Sequence, residues 1–153
     1  MGKICCFTGH REIKESDRAA LKAALRKNLV FLIEEGYDTF RAGGALGFDM
    51  LAAAEVLSLK KEYPHIKLHI FVPCVTQNKY YNKEQNRQYL EQINSADKIF
   101  CISQEYYSGC MHRRNRALVD GADICIAYLC KTVGGTAYTV GYAEKNGCRV
   151  IRL

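Results

Sequence analysis

The sequence predicts an α/β fold built on a mainly parallel, doubly wound sheet with helices on both faces. Strand-like runs alternate with helical patterns from one end of the chain to the other. The apolar runs are too continuous for a sheet with one wet face. Several of the runs end directly in a glycine or polar turn, as strands do where a crossover begins. With 153 residues the chain suits one domain, residues 1–153, with a full hydrophobic core.

Taken in order, Lys3 to Phe7 reads as the first strand, ending in the turn Thr8-Gly9-His10-Arg11. Ser16 or Asp17 can cap the helix that follows. Leu21, Leu25, Leu29 and Leu32 recur at helical spacing and give it an apolar face, and Gly36 stops it. Tyr37 to Ala42 is a second strand, followed by Gly43-Gly44-Ala45-Leu46-Gly47. A helix then begins near Phe48-Asp49 and runs until Pro64 breaks it. Ile66 to Val72 is the third strand, with Pro73 and a polar loop carrying Tyr80 and Tyr81 behind it. Glu84 to Ser95 reads as a polar helix with Leu90 and Ile93 inward, and Asp97 to Ser103 as the fourth strand. A loop with Tyr106 and Tyr107 leads to a basic helical segment, His112 to Val119. Asp123 to Leu129 is a buried strand, Val133-Gly134-Gly135-Thr136 a glycine turn, Ala137 to Lys145 a helix, and Arg149 to Leu153 the last strand.

Composition narrows the function classes. Apolar residues make up 48% and charged residues 25%, as in ordinary globular proteins. No apolar run is long enough to span a bilayer, and the N-terminus enters a strand without a signal-peptide layout, so the expected address is the cytoplasm. Eight cysteines are present without a C-x-x-C pair or zinc-finger spacing. Cys5, Cys6, Cys101, Cys125 and Cys148 fall in strand-like runs and are expected to be inert and buried, with Cys5 and Cys6 on opposite faces. Cys74 and Cys110 fall near loops and are the ones to watch for reactivity, though all eight cysteines are expected to be inert. The net charge of +6 suits phosphorylated small molecules or weak nucleic-acid affinity. No metal and no cofactor are expected.

In a doubly wound sheet, ligands bind beyond the carboxyl ends of the strands. The turns at Thr8–Arg11, Gly43–Gly47, Pro73 and Gly134–Thr136 all follow strands and are therefore expected to meet on one edge. Glycine between a strand and a helix lets backbone N–H groups approach an anion, and the helix dipole favours negative charge there. Asp49 lies in a first helical turn, where a carboxylate suits the dipole. Its alternative roles are to bind a ribose hydroxyl or to orient the glycine loop. Familiar sites are excluded: there is no G-x-G-x-x-G, no G-x-x-x-x-G-K-[ST] and no G-x-S-x-G.

Thr8-Gly9-His10-Arg11, Gly43-Gly44-Ala45-Leu46-Gly47-Phe48-Asp49, Met111-His112-x-Arg114-Asn115 and Gly134-Gly135-Thr136 resemble, in order, the motifs of the SLOG superfamily. The likeness is to its short YpsA-like branch and covers nearly the whole chain. The resemblance implies a modified Rossmann fold that binds a nucleotide or nucleotide derivative, and a homodimer. The superfamily also includes the Lonely Guy phosphoribohydrolases and the Rossmann-like domain of DprA. Arg114 matches the arginine of the Lonely Guy Met-His-x-Arg-Lys segment, but Asn115 replaces the lysine. Gly135-Thr136 match the Gly-Thr of their glycine motif, but Thr139 stands where a glutamate follows. Loss of that carboxylate argues against N-glycosidic hydrolysis. Gly44-Ala45-x-Gly47-Phe48-Asp49 is similar to the DprA pattern, yet no run of aromatics interleaved with basic residues is present for stacking single-stranded DNA.

Three functions follow in order of expectation: a binding or sensing module for a nucleotide-like or ADP-ribose-like small molecule, a Lonely Guy-like hydrolase of nucleoside monophosphates, and a DprA-like nucleic-acid binder. Under the first, Thr8 and Gly9 line the ligand site. Backbone N–H groups of Gly134, Gly135 and Thr136 hold phosphate, helped by the Thr136 hydroxyl. Arg11 and Arg114 make charge-assisted contacts. Gly43, Gly44 and Gly47 let their loop approach the ligand, and Asp49 takes a sugar hydroxyl. Asn115 reads a polar edge and Tyr80 stacks on the base. If there is turnover, Arg114 and Asp49 carry it. Arg113 and Arg116 face solvent or a partner subunit.

Overall fold

A computed structural model describes residues 2–130 and 133–153. Met1, at the head of the first run, and positions 131 and 132, within the stretch leading to the last glycine turn, lie outside the described residues. The elements are β1 (Lys3–Gly9), α1 (Glu15–Glu34), β2 (Tyr37–Ala42), α2 (Phe48–Lys60), β3 (Lys67–Val72), α3 (Lys83–Ser95), β4 (Lys98–Cys101), α4 (Cys110–Val119), β5 (Ile124–Tyr128), α5 (Gly135–Lys145) and β6 (Arg149–Arg152). The strands form one sheet in the order β4-β3-β2-β1-β5-β6, and every neighbouring pair is parallel. This is the expected α/β, Rossmann-like architecture. No helix among the described residues is long and apolar enough to cross a membrane.

The central strand β1 is buried on both faces, and its side chains alternate between two cores. Cys5 and Phe7 join the larger core, with Leu21, Leu25, Leu29 and Ile33 of α1 and Leu51, Val56 and Leu59 of α2. Cys6 joins the smaller one, with Leu118 and Val119 of α4, Cys125 of β5 and Ala143 of α5. Period-2 alternation along a strand produces this division. The register of β1 against β5 starts from a reciprocal pair: Ile4 N–H donates to the Asp123 carboxylate at 2.8 Å, and Asp123 N–H donates to the Ile4 carbonyl at 2.8 Å. Gly36, with φ of +97°, follows the C-cap Glu35 of α1 in the left-handed conformation.

Four expectations need correction. Lys14, not Ser16 or Asp17, occupies the N-cap of α1, and it supplies no side-chain cap; Asp17 instead lies in the first turn. In α3 the buried residues are Tyr89 and Gln92, with Ile93 half-buried against the same core as expected, whereas Leu90 is 45% exposed. The cause is local. Asn82 and Gln85 form a capping box that sets the start of the helix, Gln92 Nε2 donates to the Met50 carbonyl at 2.9 Å, and Tyr89 meets Tyr81 edge-on. A polar side chain whose partner is a carbonyl of α2 can therefore take the buried position.

The third correction is β4, which is exposed at all four residues, including Ile99, Phe100 and Cys101. It is an edge strand, so continuous apolar sequence there does not imply burial on both faces. The fourth is Cys101, expected to be buried in its strand-like run but exposed; Cys74 and Cys110 are buried. The exposed thiols among the described residues are Cys101 and Cys130. Leu29→Ala should lower the unfolding free energy by about 2–5 kcal/mol, while Leu90→Ala should change it by no more than about 0.5 kcal/mol. Urea titration checks both values. Equal losses would contradict the orientation of α3.

Candidate functional site

Strand order reverses beside β1, with β2, β3 and β4 on one side and β5 and β6 on the other. The loops leaving the carboxyl ends of the strands diverge at such a point and leave a crevice. A cavity of about 260 Å³ lies there. Thr8, Gly9, His10 and Arg11 contribute to it from the end of β1 and the turn beyond. Ala45 and Asp49 come from the second glycine loop and the first turn of α2, and Met111, Arg114 and Asn115 from α4. The start of α5 closes it with Gly134, Gly135 and Thr136. Segments about 125 residues apart in sequence thus share one cleft, as the placement of the turns requires.

The second glycine loop sits behind this cleft. Gly43 is pressed against two side chains: a Cβ there would lie 2.7 Å from Asp49 Oδ2 and 2.8 Å from Arg114 Nη1. Gly47 has φ of +78° and packs its α-carbon against the Arg11 carbonyl. Both conditions require glycine. Gly44 presents its carbonyl to the Tyr81 hydroxyl at 2.9 Å. The close approach made by Gly43, Gly44 and Gly47 is therefore to the protein's own groups. Tyr80 is 87% exposed and lines a neighbouring cavity of about 410 Å³ instead.

Arg114 is 4% exposed and holds the loop in place. Its Nη1 donates to the Gly43 carbonyl, to the Phe71 carbonyl at 3.3 Å and to Gln77 Oε1 at 3.0 Å. Its Nε donates to Asn115 Oδ1 at 2.8 Å. Gln77 Nε2 in turn donates to the Gly43 carbonyl at 3.2 Å. Sequence reasoning missed Gln77; its one signal was a place in the polar loop that follows β3. It also gave no role to His10, whose Nε2 accepts from the Cys130 N–H at 2.7 Å. Arg113 is exposed and Arg116 half-buried, the latter donating to the Tyr138 hydroxyl at 3.0 Å.

At α5 the N-cap is Gly134, with φ of +105° and no side chain to cap the first turn. The unpaired N–H groups of that turn give the cleft a donor-rich, electropositive wall. Thr136 is buried, while Thr139 is turned into the helix and donates to the Gly135 carbonyl at 2.8 Å. The position where a carboxylate stands in Lonely Guy enzymes is thus occupied here by a hydroxyl bonded to its own helix. A Cβ on Gly135 would meet only Asn115 Nδ2, at 3.9 Å, so space remains there.

Asp49 is 6% exposed and lies against Gly43, and the backbone N–H groups of Gly43 and Ala45 favour its charged form. Burial raises its pKa to about 6, against the opposing pull of the Arg114 charge and those N–H bonds. Burial likewise lowers the Arg114 pKa, with Asp49 the largest opposing influence. Because the folded-state pKa of Asp49 lies above its unfolded value of 3.8, the native state binds the proton more tightly. Its contribution to stability is present at low pH and is lost as pH rises from about 4 to about 6. Asp49→Asn should therefore gain stability relative to wild type across that window and run parallel to it above. Chemical denaturation at several pH values checks the sign; a difference that stays flat from pH 4 to 7 would contradict the shift.

Comparison with known proteins places this geometry in a family. The YpsA model, described as the YspA SLOG family, matches residues 5–147. A UPF0398 protein of Brevibacillus brevis is 34% identical, covering 87% of this chain and 72% of its own length. A UPF0398 protein of Bacillus cereus is 33% identical, covering 95% and 84%. Among solved structures, DNA processing protein A from Helicobacter pylori, described by its single-stranded DNA binding mode, aligns with a TM-score of 0.72 at 18% identity. That alignment covers 98% of this chain and 64% of the other. DprA from Streptococcus pneumoniae aligns with a TM-score of 0.71 at 16% identity, over 99% and 50%. The chain thus spans half to just under two thirds of these structural neighbours, and at such identities the likeness is one of fold. With the family model covering nearly all of the sequence, the chain belongs to the YspA SLOG family.

Proposed function

We propose that this protein binds a phosphate-bearing, nucleotide-like small molecule in the cleft between β1, α4 and α5. The observation that carries this reading is the meeting of an uncapped helix N-terminus, at Gly134–Thr136, with Arg11 and the buried Arg114 around one cavity. Backbone N–H groups and a guanidinium are complementary to phosphate, and their low-dielectric surroundings strengthen each contact. Thr8 and Gly9 form the wall opposite α5, and Thr136 adds a hydroxyl. Asn115, with its Oδ1 engaged by Arg114, keeps its amide N–H groups for a polar edge of the ligand. Asp49 takes a sugar hydroxyl from the other side.

Turnover is a second reading, and one observation favours it. Asp49 is a carboxyl group lining the cleft, and a pKa of about 6 suits proton transfer near neutrality. In that case the Asp49 carboxylate takes a proton from a water that attacks C1′ of a nucleoside monophosphate, the C1′–N bond breaks, the proton passes to the departing base, and Arg114 holds the phosphate of the ribose 5-phosphate product.

Both readings are tested by one titration. AMP or ADP-ribose at about a hundred times its dissociation constant should stabilise the native state by about 2.7 kcal/mol, a rise of roughly 5–10 °C in Tm for a chain of this size. Gly135→Val fills the open space at the start of α5 and should abolish the rise while leaving the unliganded Tm close to wild type. Free base in the same mixtures, absent with Asp49→Asn, marks the hydrolase. Stabilisation without base marks the binding module. No stabilisation by either compound contradicts the proposal.

A further inference from the structure

A groove at the amino ends of the strands has no part in the cleft. It runs between the later turns of α1 and the strands β1, β2, β5 and β6, and its volume is about 650 Å³. That lies inside the range of roughly 300–1,000 Å³ usual for sites that enclose a small ligand. Register brings its strand residues together. Lys3 and Tyr37 are neighbours across β1 and β2, Ile124 and Arg149 across β5 and β6, and Ile151 follows on the same face as Arg149. The helix supplies a second stripe beside its leucine core. Ala24, Lys27, Asn28, Phe31 and Glu35 recur every three or four residues and line the groove.

The lining has two kinds of chemistry. Leu32, Ile124 and Ile151 make an apolar floor, and the Phe31 ring, 51% exposed, stands beside it. An exposed phenylalanine by itself is ordinary; here it extends a continuous apolar surface. Around that surface stand three cations, Lys3, Lys27 and Arg149. None of the three forms an ion pair among the described residues, whereas Lys22 and Arg26 of the same helix engage the buried Glu55. The Lys3 ammonium lies instead 5.3 Å from the centre of the Tyr37 ring. Glu35 is the one carboxylate among the lining residues, so the groove keeps an excess of positive charge.

We propose that this groove binds a small amphiphilic anion, a carboxylate with an apolar tail. The tail lies on Phe31, Leu32 and Ile151, and the head sits among Lys3, Lys27 and Arg149. Burial of apolar area holds the tail, and complementary charge selects the head. The volume suits one small molecule, whereas a protein partner covers roughly 800 Å² on each side. Isothermal titration of the full chain with octanoate, butyrate and octylamine tests this. Octanoate, kept below its micelle concentration, should bind at one per chain. It should bind at least about tenfold tighter than butyrate, because its extra methylenes leave water, and at least about tenfold tighter than octylamine, which carries the opposite charge. The double variant Lys27→Glu, Arg149→Glu should lose octanoate affinity by at least about tenfold, and Phe31→Ser by about fivefold. All three side chains are exposed, and an unchanged Tm shows that each variant is folded. No octanoate binding, equal affinities for octanoate and octylamine, or an affinity unmoved by Phe31→Ser would overturn the proposal. A dimer in sedimentation that excludes octanoate and that Phe31→Ser dissociates would assign the groove to a second copy of the chain and overturn it as well. AMP binding in the cleft should be unchanged in both variants, so failure here leaves that reading untouched.

Discussion

A buried guanidinium must find acceptors, and the way Arg114 finds them organises this end of the sheet. Its partners are the carbonyl of Gly43 beyond β2, the carbonyl of Phe71 in β3 and the side chain of Gln77 in the loop after β3. One residue of α4 thereby fastens the carboxyl ends of two strands and the loops that follow them. Asp49 approaches the same glycine from α2 and accepts from the loop's N–H groups. The loop between β2 and α2 is held between a buried cation and a buried carboxylate, which leaves no room at Gly43 for a side chain. Breaking such an arrangement strands a charge in low dielectric, so geometry at the cleft is coupled to stability of the fold.

Departures from the Lonely Guy pattern acquire a physical meaning in this setting. Asn115 accepts a hydrogen bond from Arg114 Nε, and a lysine at that position has no acceptor to offer. The asparagine thus orients the arginine instead of adding a second cation. Thr139 satisfies its hydroxyl within α5 and presents no acid to the cleft. What acidity the cleft has comes from Asp49, across from α5, whose carboxyl pKa burial raises to about 6. These features support ligand retention more directly than bond cleavage.

The sheet and the meeting of the loops were legible because they rest on patterns that tolerate little substitution. Leucines at helical spacing placed the buried face of α1, and β-branched and apolar runs placed β1, β2, β3 and β5 to within one or two residues. Glycine turns after strands located the cleft, since topology forces those turns to one edge. Features that depend on a tertiary partner were not legible. Gln92 is buried because a carbonyl of α2 happens to face it, and Leu90 is displaced outward as a result. The exposure of β4 follows from its place at the sheet edge, which strand-like composition does not encode. Nor could the sequence separate Tyr80 from the cleft between β1, α4 and α5, or tell that the Gly43–Gly47 loop approaches Arg114 and the Arg11 carbonyl.

The central claim is that ligand chemistry converges on the carboxyl edge of the sheet between β1, α4 and α5. Backbone amide resonances followed by NMR during titration with AMP test it most directly. The account predicts that the largest shifts occur at Gly9, Arg11, Gly135 and Thr136, with smaller ones at Gly43 and Ala45 transmitted through Asp49. Shifts confined to the opposite end of the strands, around Lys3, Phe31 and Ile151, or none at a saturating concentration, would contradict it.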